Sequence, residues 1–141
     1  MSIKKVELRI SKEDALRVLK GNEHHYSAQI EKCTQELLSR YGSSDLVQMA
    51  KYFSMKAIYT DMLNFNSQVK EAIESDKYGN MDKYLMQEIR WYVGLEVAYS
   101  TSIVREMESR AKREVSQKKI MVLRSIFKTP NDNLLSSMLN F

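Results

Sequence analysis

The sequence predicts an all-α fold: an elongated antiparallel helical bundle with a short N-terminal strand or arm and a short C-terminal helix. Three observations predict it. The 141 residues include only four glycines and one proline, too few for a turn-rich β fold. The run from Asn80 to Lys128 holds no proline and a single internal glycine, Gly94. Apolar residues recur every three or four positions over most of the chain, the period of an amphipathic helix. The length suits one domain with a sizeable core. Three regions are expected: an arm over 1–11, a helical domain over 12–128, and a short helix over 129–141.

The opening segment alternates. Val6, Leu8 and Ile10 face one way, with Lys5, Glu7 and Arg9 on the other, as in a half-buried strand. No second convincing strand is legible, so this one pairs with a copy of itself or with a partner, or remains an extended arm. Ser11 with Asp14 is a capping-box variant, opening a short helix over 12–20 that Gly21 stops. Asn22 can cap a second helix over 23–41, with Tyr26, Ile30, Cys33, Leu37 and Tyr41 on one face. The order of strand, short helix, glycine turn and helix over residues 3–41 resembles the ribbon-helix-helix arrangement. That resemblance implies paired strands of a dimer in the DNA major groove, with Lys5, Glu7 and Arg9 as readers.

Gly42-Ser43-Ser44 marks a turn, and Ser43 or Ser44 can cap a third helix over 45–76. Its apolar residues cover more than one side, as expected of a central helix. Tyr52, Met55, Tyr59 and Met62 form a second face beside Phe53 and Ala57. After Gly79-Asn80 a long helix is expected over 81–128, roughly 70 Å if unbroken. Its stripe of Leu85, Ile89, Tyr92, Tyr99, Ile103, Met107, Ala111 and Val115 reads as a bundle or short coiled-coil seam, interrupted by Glu96. Thr129-Pro130 then starts a terminal helix lined by Leu134, Leu135, Met138 and Leu139.

Net charge is +4, unevenly placed. Residues 1–79 carry 12 basic and 11 acidic groups, and residues 80–141 carry 10 and 7. Arg110, Arg113, Lys118, Lys119 and Arg124 are the candidates for contact with an anionic partner such as DNA or RNA, with Lys5 and Arg9 as an N-terminal addition. At 100° per residue they do not form one stripe, which favours a solvated face or an acidic protein partner over nucleic acid or an anionic membrane. Tyr52, Tyr59, Trp91, Tyr92, Leu134 and Met138 are the candidate protein-interface residues, since aromatic and methionine side chains are enriched in interface cores.

Catalytic and metal signatures are missing. His24 and His25 are adjacent and diverge on a helix, and Cys33 lies at no zinc spacing from them. No phosphate-binding glycine loop and no HExxH occurs. No enzyme, cofactor or metal is therefore expected. Cys33, alone, permits no intrachain disulfide and sits on an apolar face, which points to a core thiol and a reducing, cytoplasmic setting. No apolar stretch is long enough to span a bilayer, and peripheral membrane contact is not expected. The resulting expectation is a non-enzymatic helical adaptor or assembly protein, homo-oligomeric and most simply dimeric. The alternative is a nucleic-acid-binding accessory protein using segment 110–128.

Overall fold

A computed structural model describes residues 6–42, 44–94 and 103–130. The elements in chain order are β1 (Glu7–Leu8), α1 (Lys12–Ser39), α2 (Leu46–Glu74), α3 (Met81–Gly94), α4 (Ile103–Ile126) and β2 (Phe127–Lys128). They form an elongated four-helix bundle, so the all-α expectation holds.

α1 begins as its sequence dictates. Ser11 is extended (φ −62°, ψ 152°) and its hydroxyl accepts the Asp14 amide at 3.1 Å. The helix does not stop at Gly21. It runs unbroken to Ser39, so the two helices expected over 12–20 and 23–41 are one. The reason is the stripe of Ala15, Leu19, Tyr26 and Cys33, which stays on one buried face across the glycine. That burial outweighs the roughly 1 kcal/mol cost of a mid-helix glycine. Tyr41, expected on the same face, lies past the helix end and is 90% exposed.

α2 starts at Asp45, whose carboxylate accepts the Gln48 amide at 3.2 Å; the cap falls on Asp45 rather than on a serine. The helix ends without glycine. Asp76 adopts a left-handed φ of 56°, its amide reaches the Ile73 carbonyl, and the Lys77 amide reaches the Ala72 carbonyl. These two bonds are a Schellman closure that satisfies carbonyls left over at the helix end. α1 and α2 pack antiparallel along their whole length. Lys12 meets Asp76 at 3.3 Å, Asn66 Nδ2 donates to the Leu19 carbonyl at 2.8 Å, and the Tyr26 and Tyr59 rings lie 6.3 Å apart. Farther up, Arg40 stacks on the Tyr52 ring at 5.1 Å.

The single helix expected over 81–128 is replaced by α3 and α4, which run antiparallel. Arg113 stacks on Tyr92 while Lys119 approaches Glu88, so the residue pairs advance in opposite directions. A straight helix would hold Ile89 and Val115 roughly 40 Å apart. Here both are buried in one core with Phe65, Val69, Ile73, Leu85, Ile120 and Leu123. Burying such side chains stabilises by about 1.5–3 kcal/mol each, which favours the folded-back arrangement.

The N-terminal strand finds its partner within the chain. Glu7 pairs with Lys128 and Leu8 with Phe127, antiparallel. The Arg9 amide donates to the Ile126 carbonyl at 2.7 Å and its guanidinium Nε to the Arg124 carbonyl at 3.0 Å. The arm thus supplies donors to two of the last carbonyls of α4, those of Arg124 and Ile126. The expected alternation is present: Val6 is buried, and Leu8 and Ile10 pack on the core. Two expectations change with this. β1 needs no second chain, and the ribbon-helix-helix order over 3–41 is not formed, since its strand pairs with β2 and its two helices are one.

Candidate functional site

Beyond the shared core the bundle opens. The N-terminal half of α2 separates from α3 and α4 and leaves a groove of about 860 Å³. α2 supplies Ala50, Phe53, Ser54, Ala57, Ile58 and Asp61, positions three or four apart that make one helical stripe. α4 faces it with Ala111, Lys112, Val115, Ser116 and Lys119, and α3 contributes Glu88 and Trp91. Five of the described lining residues are small: Ala50, Ser54, Ala57, Ala111 and Ser116. At the rim, Phe53 is 58% exposed and Trp91 57% exposed.

The floor is charged. Lys119 is 7% exposed, and its ammonium donates to Asp61 Oδ2 at 2.9 Å and lies 3.8 Å from Glu88. The same ammonium sits 5.5 Å from the centre of the Phe65 ring, a cation–π contact. Burial raises the pKa of the Glu88 carboxyl; the Lys119 charge and a hydrogen bond from Ser116 oppose that rise. The nearby Tyr84 hydroxyl is also shifted up by burial. The cluster ties three helices together: α2 through Asp61, α3 through Glu88, and α4 through Ser116 and Lys119.

The basic candidates are not brought into one patch. Lys119 is in the groove floor. Lys118 pairs with Glu114 at 3.3 Å, and Arg113 covers Tyr92 at 4.8 Å. Arg110 is exposed, whereas Arg124 is half-buried near the bundle base, where its carbonyl accepts from Arg9. Arg9 is therefore engaged at the α4 terminus; Lys5 lies outside the described residues. Among the interface candidates, Trp91 lines the groove. Tyr92 lies beneath Arg113. Tyr52 is stacked by Arg40, and Tyr59 packs against Tyr26 and His25. Leu134 and Met138 lie outside the described residues, as does Glu96.

Sequence reasoning singled out none of Asp61, Glu88 and Ser116 as site residues. One signal was legible. Val115, Lys119, Leu123 and Ile126 follow helical spacing, so Lys119 falls on an otherwise apolar stripe. A charge at such a position needs a buried counter-charge. Its partners, on helices distant in sequence, had no local signature.

Among the described residues no group of three His, Cys, Asp or Glu side chains could hold a metal ion, and no helix is long and apolar enough to cross a membrane. Comparison with known protein families, curated proteins and solved structures finds no match to this chain.

Proposed function

We propose that the chain is a non-enzymatic helical recognition domain of the adaptor or assembly class, acting on a protein partner through the groove between α2 and the α3–α4 pair. One observation carries the reading: an apolar groove with two large aromatic side chains, Phe53 and Trp91, exposed at its rim. Aromatic residues beside a concave apolar surface are what interface cores are made of. A nucleic-acid partner is the weaker reading. It needs Arg110, Arg113, Lys118, Lys119 and Arg124 to act together, whereas Arg113 covers a ring, Lys118 is in an ion pair, Lys119 is in the floor of the groove and Arg124 is half-buried at the bundle base.

The sequence-based argument for a homo-oligomer rested on a strand and a helix without partners. The strand is paired with β2, and the run expected as one projecting helix is two helices packed on one another, so neither feature calls for a second copy. The test is selection from a display library of helical peptides against the full chain, followed by titration of the selected peptides. Peptides that bind wild type and lose affinity at least about tenfold on Phe53→Asp support the reading. Selected binders indifferent to Phe53→Asp and Trp91→Ala reject it. So does DNA or RNA binding that falls steeply with salt and is abolished when Arg110, Arg113, Lys118 and Arg124 are changed to Gln, with the buried Lys119 left in place.

A further inference from the structure

The groove is uneven along its length. Away from Lys119 its lining includes the exposed rings of Phe53 and Trp91, with Lys112 on α4. Its deep end holds two carboxylates, Asp61 and Glu88, against one ammonium, Lys119. The Asp61 side chain is 56% exposed where it lines the groove, and the bond from Lys119 engages its Oδ2. Among the described lining residues the other cation is Lys112, but it lies seven residues before Lys119, about 10 Å away along α4. It does not neutralise the deep end. A ligand that reaches the floor therefore meets an excess of negative charge, and an anionic group there would lie beside two carboxylates.

The dimensions select the form of the ligand. The α2 wall from Ala50 to Asp61 is about 16 Å long, three helical turns. Along that wall only Ser54 and Asp61 have side chains that accept or donate hydrogen bonds. An extended peptide would bury unpaired backbone amides and carbonyls there, whereas a helix satisfies its own. A third helix laid between two others is also the natural packing for a gap walled by helices.

We propose that the occupant is an amphipathic helix of a protein partner. It inserts apolar side chains between Phe53 and Trp91 and sets one lysine or arginine on the Asp61–Glu88 end. This rests on the reading of the groove as a protein-recognition site.

Trp91 is the single tryptophan of the chain and lines the groove, so its emission reports occupancy. The experiment titrates the full chain with synthetic alanine-based helices of about fifteen residues, long enough to populate helix. Each carries leucine or phenylalanine on one face and a single Lys, Gln or Glu guest stepped along it. Lys guests at one register should shift Trp91 emission to the blue and bind about tenfold tighter than Gln guests, with Glu guests weakest. Asp61→Asn should erase most of the Lys preference while leaving the Gln peptides unaffected; Lys119 keeps Glu88 as a partner in that variant, which preserves the fold. If Lys and Gln guests bind alike and Phe53→Asp abolishes both, the groove is a recognition site and the basic anchor is wrong. If no peptide perturbs Trp91, the recognition reading falls with it. A preference for Glu guests overturns the proposal. So does a blue shift on concentrating the protein alone with a rising sedimentation coefficient, which makes a second copy the occupant.

Discussion

Lys119 and Asp61, 58 residues apart, form a 2.9 Å ion pair that joins α4 to α2 at the point where the bundle opens. The pair closes the shared core on one side and floors the groove on the other. Glu88, 3.8 Å from the same ammonium, brings α3 into the arrangement.

Lys119→Met is expected to destabilise the protein by about 2–3 kcal/mol. Removing one partner of a buried pair generally costs more than that, but the exposure of Asp61 lessens the charge left uncompensated. The midpoint of urea unfolding measures it. Adding Glu88→Gln to Lys119→Met should restore part of the loss, because the buried carboxylate is then neutral. A double variant less stable than Lys119→Met would contradict the assignment.

Glu88 should make stability depend on pH in a definite direction. Its folded pKa is raised above the unfolded value, so the folded state holds the proton more tightly. Its stabilising contribution is fully present below the ordinary glutamate range and is lost as pH rises through the raised folded value. Glu88→Gln lacks this dependence. Urea unfolding at a series of pH values should show wild type losing ground to Glu88→Gln as pH rises across that window. Parallel profiles would remove Glu88 from the buried cluster.

Cys33 is 1% exposed, and burial raises its thiol pKa. Both properties suppress the thiolate that reacts with disulfide reagents. Native protein should label at least about a hundredfold more slowly than protein in denaturant, read by absorbance of the released thiol. Immediate stoichiometric labelling of native protein would place Cys33 outside the core.

Two glycines should respond oppositely to alanine. Gly21 lies within α1, and a Cβ there meets nothing within 4 Å. Gly21→Ala should stabilise by about 0.5–1 kcal/mol through helix propensity. Gly42 has φ +81°, a left-handed conformation that costs an L-residue about 1 kcal/mol or more, so Gly42→Ala should destabilise. Thermal unfolding of the two variants checks the pair of signs.

Several elements are legible in the sequence alone. The Ser11–Asp14 cap, the third helix near 45–76 and the buried alternation of Val6, Leu8 and Ile10 follow from local pattern. Gly21 misled because its helical cost is about 1 kcal/mol, and the burial of Leu19 and Tyr26 on either side is worth more. Phe127 and Lys128 carried no strand signal, since two residues cannot show an alternation. Their pairing is set by β1, which arrives from 119 positions away in sequence.

By itself the sequence determined that the chain is helical, where most helices begin, which faces are apolar and that Cys33 belongs to the core. Those properties depend on spacing, caps and propensity within a few turns. Only the tertiary structure decided that the run over 81–128 folds back as α3 and α4, that β1 closes on β2, and that Lys119 leaves the basic candidates to sit between Asp61 and Glu88. Each of these depends on surfaces meeting across long separations. Local periodicity says that a face must be buried, but the competition among all such faces for one core decides against what.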